Sequence, residues 1–425
     1  MVKLWRMNKW LISGFSQWLL LWWWATAALA QLPFQGHVKL QADSARPADD
    51  SLESALGETV LNNYTLDLRL KNSYQWQAWQ TEAHYQLEIL QGDSAALRDK
   101  LRQTLPAFNT DRDKTQWWSL SRTLEDNQQR YMVQRLARLS MGYANENLVL
   151  RLGRQALSWG QGQLFNPLDL FDPFAPDAND KDYKPGADML YGQWLFADGS
   201  DLQGVIVPRR DPITATVESQ QSSVAVKWLT FWQSLQIDLM AARHYRDKVL
   251  GVGLSSAWNE AVWRMNLVPT WLDEGGNRTS AVINLSHAWQ WMGKNINGTL
   301  EYFHNSFGQS GDDYTLSTLS PALTQRLARG EVFNTGQDYL AAQLLIEWTP
   351  LLTLTPLGIV NLNEGSSLWV GQANYSLSQN TNLRLGFNLG LGAKGTEFGG
   401  LRLTPTSDIY YRQPRQVYCR FEWFF

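Results

Sequence analysis

The sequence predicts an all-β fold, a transmembrane antiparallel β-barrel of about 18 strands, with 16 as the alternative count. Segments of about ten residues repeatedly alternate apolar and polar side chains, the pattern of a strand with one apolar face. Aromatic residues, including 22 Trp in 425 residues, concentrate near the ends of these segments. Short turns and long loops alternate between the segments. Together these three observations favour a barrel over a helical or mixed fold.

Alternation is clearest in residues 60–71. Tyr64, Leu66, Leu68 and Leu70 share one face, and Asn63, Thr65, Asp67, Arg69 and Lys71 share the other. A water-soluble sandwich would also alternate, so this pattern alone does not choose between an inner core and lipid.

Aromatic residues near strand ends favour lipid, because membrane barrels carry girdles of such residues at both interfaces. The residues in question are Trp117, Trp118, Trp228, Phe231, Trp232, Trp258, Trp271, Trp289, Trp291 and Trp348.

The connections support a barrel of even strand number. Predicted tight turns at every second connection are Asn72-Ser73, Asn145–Asn147, Asp198–Ser200, Asn259-Glu260, Gly293–Asn295 and Gln379-Asn380. The long loops between them are 92–129, 158–186, 308–337 and 392–413. This arrangement predicts both termini on the short-turn side, which would be periplasmic. Short helices are expected within the loops at 94–104 and at 321–330, which opens with Pro and closes with Gly.

Residues 1–30 are typical of a signal peptide. Lys3, Arg6 and Lys9 precede an apolar run that ends in Ala28-Leu29-Ala30. Residues 31–425 are then expected to form one exported domain, the barrel with its loops.

Composition excludes several classes of protein. The chain has 37 Lys and Arg against 40 Asp and Glu, a net charge of -3, which disfavours a nucleic-acid partner. A single Cys excludes a disulfide framework and a Cys-rich metal site. We expect no cofactor and no bound metal.

The last residues alternate up to the terminal aromatic ring. Val417, Cys419, Phe421, Trp423 and Phe425 share one face. This ending resembles the C-terminal strand of Gram-negative outer-membrane barrels. The resemblance implies the outer membrane as location, its lipid as surroundings, and Phe425 as the signal read by the barrel-assembly machinery. Whether the barrel forms a homotrimer stays open.

If apolar faces contact lipid, the opposite faces line the lumen. The charged residues assigned to the pore lining are Arg69, Glu82, Arg138, Arg151, Lys227, Asp238, Arg264, Glu301, Glu347, Arg384 and Arg420. An interior of hydrated charges suits polar solutes and ions. Arg151 and Arg154 have opposite strand parity, and Arg151 is the one expected to point inward.

Loop 158–186 is the most distinctive segment. It is rich in Pro, and it carries Asp169, Asp172, Asp177, Asp180 and Asp182. Folded into the barrel opposite Arg138, Arg151 and Arg264, it would form a constriction with a transverse field. An external lid with its acids in water is the alternative. The strand ending in Gly153-Arg154-Gln155, followed by Trp159-Gly160-Gln161-Gly162 and the Pro- and Asp-rich stretch, resembles the third-loop region of porin-like and polysaccharide-export barrels.

These features predict an outer-membrane channel, or porin, for passive diffusion of small polar or charged solutes. An export or assembly barrel, plugged by 92–129 and 308–337 and working with periplasmic partners, is the alternative. A third hypothesis is an outer-membrane phospholipase using His304 and Ser306, because His-x-Ser-x-Gly at 304–308 resembles that family's motif. Its orienting Asn is missing from 338–349, and we expect the protein not to be an enzyme.

Overall fold

The computed structural model describes residues 34–104, 112–311 and 314–425. The predicted signal peptide, 1–30, lies outside the described residues. Within them, nineteen strands form one closed sheet, and 18 of these build the wall, because β4 is a short addition beside β5. The strands of this sheet are β1 (Gln35–Arg46), β2 (Leu61–Trp76), β3 (Trp79–Gly92), β4 (Ser121–Asp126), β5 (Arg130–Ala144), β6 (Leu148–Gln155), β7 (Ala187–Leu195), β8 (Asp201–Val207), β9 (Ser223–Trp232), β10 (Leu235–His244), β11 (Asp247–Trp258), β12 (Ala261–Trp271), β13 (Asn277–Trp291), β14 (Lys294–Asn305), β15 (Asp338–Thr349), β16 (Leu352–Asn361), β17 (Ser367–Ser378), β18 (Thr381–Leu391) and β21 (Arg415–Phe424).

The barrel closes where the first strand meets the last. β1 pairs antiparallel with both β2 and β21, and β21 pairs with β18. Phe425 continues this seam, because its backbone exchanges hydrogen bonds with Gly36 at 2.8 and 3.1 Å. The predicted all-β antiparallel barrel of about 18 strands is confirmed. The role of Phe425 in assembly stays a prediction.

The two ends of the barrel differ as predicted. One end, called here the turn end, carries the described termini and the short turns. The other, the loop end, carries the longer connections, 47–60, 93–129, 156–186, 208–222, 306–337 and 392–414 among them.

One predicted turn is wrong. Asn72 and Ser73 lie inside β2, and the chain reverses at Gln77-Ala78. Gln77 takes the left-handed φ of 53° that a two-residue hairpin turn requires. Asn tolerates this conformation and therefore favours turns, whereas Gln77 adopts it without such a preference.

Three helices lie in the loops of the described chain: α1 (Leu52–Ala55), α2 (Asp93–Thr104) and α3 (Pro321–Arg329). The predicted α3 is confirmed, with Ser320 as N-cap, Pro321 at the first turn and Gly330 in the left-handed conformation at the C-cap. α2, predicted at 94–104, packs Leu97 against Ala45 and Leu61 near the loop end. A two-stranded sheet of β19 (Leu401–Arg402) and β20 (Tyr410–Tyr411) was not predicted. Among the described residues, no helix has the length and apolar character needed to cross a membrane.

The outward face of the wall is apolar. Exposed Leu, Ile, Val and Trp side chains occupy alternate positions along many of the strands. Exposed aromatic side chains are dense at the turn end, namely Tyr74, Trp76, Trp79, Trp194, Phe231, Trp232, Trp258, Trp291 and Trp348. At the loop end, Trp271 and Tyr302 are exposed. An apolar hull with aromatic girdles is the surface that a barrel presents to lipid.

Candidate functional site

Residues 156–186, called here the inward loop, fold into the barrel. Leu157, Trp159, Leu168 and Phe171 pack against inward-facing side chains of β7 to β12. Leu164 and Phe165 pack against a second inner patch, on β13 to β17. The rings of Phe165 and Phe303 stack with centroids 4.5 Å apart. The loop is therefore built into the lumen and is not an external lid.

Two glycines of β11 make room for the loop. A Cβ at Gly251 would lie 2.2 Å from Cδ2 of Leu168, and one at Gly253 would lie 3.2 Å from Cδ1. Since real Cβ atoms do not approach so closely, a side chain at Gly251 would force the buried side chain of Leu168 to shift.

Glu301 of β14 holds the loop by its backbone. Its fully buried carboxylate accepts hydrogen bonds from the N–H groups of Gln163, Leu164 and Phe165, at 2.8, 3.0 and 2.6 Å. Asn284 donates a further bond at 3.0 Å. Successive backbone N–H groups make such a concave anion-binding site. The predicted lumen acid is thus an anchor for the loop.

Asp238 of β10 also holds the loop, through the side chain of Gln161. Nε2 of Gln161 donates to its carboxylate at 2.8 Å, and Nζ of Lys227 lies 3.5 Å from it. Nε1 of Trp159 donates to Gln203 at 2.7 Å. Polar side chains on β8 to β14 therefore supplement the apolar packing of the loop.

Asp169 is neutralised within the loop itself. Nζ of Lys184 lies 2.6 Å from its carboxylate oxygens, and both side chains are buried. Arg138 of β5 donates to the backbone carbonyl of Lys184. Asp169 therefore meets its cation in the loop and not in the barrel wall.

The acidic tip of the loop meets a basic part of the wall. Nζ of Lys39 lies 2.6 Å from Asp180 and 2.5 Å from Asp182. Arg420 lies 3.1 Å from Asp180, and both Arg420 and Arg384 donate to the carbonyl of Asn179. This contact joins the loop to β1, β18 and β21, on the side away from its apolar packing.

Tyr183 extends this contact to β2. Its hydroxyl accepts a hydrogen bond from Lys71 at 2.7 Å, and the guanidinium of Arg69 lies 4.4 Å from its ring centroid. Cations over an aromatic face are stabilised by the ring quadrupole. Aromatic and acidic groups of the loop thus share one cationic wall.

Other residues assigned to the pore lining lie away from the loop contacts. Arg264 donates hydrogen bonds to Ser286 and Asn284, and the guanidinium of Arg151 lies 4.9 Å from the ring centroid of Tyr191. The carboxylate of Glu82 lies 3.0 Å from His84, and that of Glu347 accepts a hydrogen bond from Asn295. Of the expected basic wall of Arg138, Arg151 and Arg264, only Arg138 hydrogen-bonds the loop among the described residues. Asp177 accepts a hydrogen bond from Gln413 at 3.3 Å, and Asp172 has a φ of 55°.

Arg154 lies on the face opposite Arg151, as parity predicts, but it is buried. It pairs with Asp188 at 2.8 Å and with Asp113 at 2.9 Å, and it donates to the carbonyl of Trp118. The segment before β4 thus covers the loop end of β6 and β7.

The interior is not a uniform lining of hydrated charges. The loop-end halves of β7 to β17 present apolar side chains inward, because the inward loop packs there. A sequence signal existed: Val205-Ile206-Val207, Ala281-Val282-Ile283 and Leu368-Trp369-Val370 are apolar on both parities, as strands buried on both faces are. Lys39 was also missed, although it alternates with Val38 and Leu40.

A polar cavity remains between the inward loop and β15 to β18. Its volume is about 270 Å³. Lys181 and Asp182 of the loop bound it on one side; Gln343, Thr353, Thr355, Gln372, Asn374 and Arg384 line the wall opposite. Nζ of Lys181 donates to the carbonyl of Pro176. This chamber has room for a small polar solute with some water, and its amide, hydroxyl and charged side chains can bind that solute.

His304 and Ser306 do not form a nucleophile and base pair. Nδ1 of His304 lies 2.8 Å from Asp338, an acid on the adjacent strand that the sequence reading did not identify. Oγ of Ser306 accepts the backbone N–H of Thr279 at 2.6 Å, and no hydrogen bond joins it to His304 in the described chain. Nor do three His, Cys, Asp or Glu side chains of the described ranges group to hold a metal.

No protein-family model matches the chain, and no curated protein matches it. Among solved structures, OccAB3 of Acinetobacter baumannii is similar over 92% of this chain and 99% of its own, with a TM-score of 0.51 and 9% identity. OccAB2 of the same organism is similar over 92% and 98%, with a TM-score of 0.50 and 10% identity. A mutant of the Rh. blastica porin is similar over 92% of this chain and 99% of its own, with a TM-score of 0.44 and 6% identity. With the closed wall and its apolar hull, the fold is that of a porin-like barrel of the Gram-negative outer membrane.

Proposed function

We propose that this barrel is a passive channel for small polar or charged solutes. One observation carries the proposal: the inward loop narrows the lumen, and a polar chamber remains beside Lys181 and Arg384. Sites that bind solute weakly through several polar groups permit both entry and exit.

The selectivity filter in this proposal is the contact between the loop tip and the wall. Asp180 and Asp182 contact Lys39, Asp180 also contacts Arg420, and Arg384 donates to the neighbouring carbonyl of Asn179. Opposed charges at a constriction orient dipolar solutes and discriminate between ions. Asp169 takes no part in this filter, since it is buried with its partner Lys184, whereas the side chains of Asp180 and Asp182 are about one-third exposed.

The loop end is proposed to face the outside and the turn end the periplasm. Long loops at one end and short turns with both termini at the other support this orientation. In intact cells, a membrane-impermeant amine reagent should then modify Lys394, which is exposed in loop 392–414. Modification only after the outer membrane is opened would reverse the orientation.

Planar-bilayer recording tests the channel and its filter together. The full chain should give steady conductance. Replacing Asp180→Asn and Asp182→Asn should shift the reversal potential in a salt gradient toward anion preference, because Lys39 then loses both counter-charges. The shift should shrink in high salt, where charges are screened.

Asp198→Asn is the matched control, because it removes an acid from a turn-end loop and should leave the reversal potential unchanged. An unchanged potential in the loop variant would remove Asp180 and Asp182 from the filter. Conductance that appears only after deletion of 93–129 and 306–337 would favour the export barrel.

A further inference from the structure

Two arginines face each other at the seam of the barrel. Arg46 of β1 and Arg415 of β21 are register partners at the loop end, and both are exposed. By strand parity they share the outward face with Val417. Like charges directly opposite each other destabilise a sheet. In the described parts of the chain, neither arginine has an ion pair or a side-chain hydrogen bond, so their charge is not balanced by the protein.

A cavity of about 490 Å³ lies beside this pair. It is lined by Arg46, Arg412, Arg415 and Lys394, with Asp49 and Asp50 as its acids. Asp50 is bound to Lys394 at 2.7 Å. Nε of Arg412 is buried and has no hydrogen-bond partner in the described residues. The cavity therefore holds four cations against two acids, one of which is already paired with Lys394.

A groove follows on the outward surface, along the same strands. Its volume is about 340 Å³, and it is lined by Ala42, Asp43, Ser44, Asn62, Tyr64, Val417, Tyr418 and Cys419. Ala42 pairs in register with Cys419, and Ser44 pairs with Val417, two residues before Arg46 on β1. The small side chains thus leave the groove open between the exposed side chains of Tyr64 and Val417, on the surface that contacts lipid.

We propose that the cavity and the groove together bind one anionic lipid. Its phosphate group contacts Arg46, Arg412 and Arg415, and an acyl chain lies in the groove over Cys419. Guanidinium groups bind phosphate oxygens by paired, charge-assisted hydrogen bonds, which would satisfy the donors that the protein leaves open. The inference does not depend on what passes through the lumen.

The native thiol provides the test. Cys419 is the only cysteine of the chain, and it is exposed in the groove. The purified full chain in neutral detergent is labelled with a maleimide, alone and with added lipid A, a bisphosphorylated glycolipid. At near-saturating lipid A, labelling should slow roughly tenfold, as a site about nine-tenths occupied requires. Phosphatidylcholine, which has no net charge, should slow it much less.

The variant Arg46→Gln with Arg415→Gln should cancel most of this protection. It should fold at least as stably as the original chain in neutral detergent, because it removes a like-charge pair. The matched control is Arg243→Gln with Lys248→Gln. This second exposed pair of register partners lies on β10 and β11, on the opposite side of the ring of strands. It removes the same charge and should leave the protection of Cys419 intact.

Two results would overturn the proposal. Protection that persists in the Arg46 and Arg415 variant would show that the arginines do not hold the headgroup. The second result is that inorganic pyrophosphate raises the unfolding temperature of the protein while lipid A leaves Cys419 reactive. The cavity would then be a site for free phosphate and not for a lipid.

Discussion

The two sides of the lumen hold the same loop by different forces. On β7 to β17, the loop buries Leu164, Phe165 and Leu168 against apolar side chains and places its backbone on Glu301. On β1, β2, β18 and β21, it meets the wall through ion pairs and a cation-covered ring. Apolar burial is largely independent of salt, whereas ion pairs reached by water are screened.

The difference separates structure from function along one loop. The apolar side fixes where the constriction lies, and the charged side sets what the constriction repels or attracts. Substitutions on the first side should therefore change both stability and conductance. On the second side they should mainly change selectivity, because the side chains of Asp180 and Asp182 are about one-third exposed; loss of both acids should also cost some stability, because Lys39 is buried.

Loss of Glu301 should produce the largest effect. Glu301→Ala removes the acceptor of three N–H donors, two of them on buried Leu164 and Phe165, at a cost of about 3 kcal/mol in the free energy of unfolding. The loop should leave the wall, and single-channel conductance should rise. Denaturant unfolding and bilayer recording measure the two effects.

Glu347→Ala is the comparison for Glu301→Ala. Glu347 is also an inward acid, but it accepts one bond from exposed Asn295. Its loss should change the free energy of unfolding by about 0.5 kcal/mol or less, as surface substitutions do. Equal effects of the two variants would contradict the role of Glu301 as an anchor.

Gly251→Ala should have the next largest effect. The added Cβ overlaps Leu168, and overpacking of this kind costs about 1–3 kcal/mol. The control is Gly204→Ala on β8, where a Cβ would meet no atom within 4 Å. If Gly251→Ala is as stable as Gly204→Ala and conducts alike, the loop is not packed tightly against β11.

The smallest effect concerns pH at the loop end. Burial alone would raise the pKa of Glu331, but His244, then Arg329 and Arg326, lower it to about 2 from 4.5. Because the pKa is lowered in the folded state, this contribution to stability is complete well above pH 4.5. It declines as the pH falls through about 2.

Proteolysis of loop 306–337 by pepsin should therefore accelerate as the pH falls from 4.5 toward 2. In Glu331→Gln the loop should be cleaved readily throughout that range. If the ratio of the pepsin cleavage rates of the original chain and the Glu331→Gln variant does not change with pH, the Glu331 carboxylate does not hold this segment.

Strand number, hairpin order and α3 could be predicted from the sequence, because alternation, capping and turn residues are local signals. The inner packing could not be read in the same way. Val205 and Val207 look like lipid-facing residues until their partners in the inward loop are known. Lys39 finds Asp180 and Asp182 about 140 positions away in sequence, and no local rule relates them. The turn predicted at Asn72-Ser73 is wrong for a local reason, because the chain reverses at Gln77, which is not a typical turn residue.

The bond between Phe165 and Glu301 spans 136 positions. A chain that assembles from its N-terminus makes the loop long before it makes the strand that receives it, and contacts so distant in sequence form slowly. Docking of the loop therefore requires β14, and an intermediate ending before β14 would leave Leu164 and Phe165 without most of their packing partners.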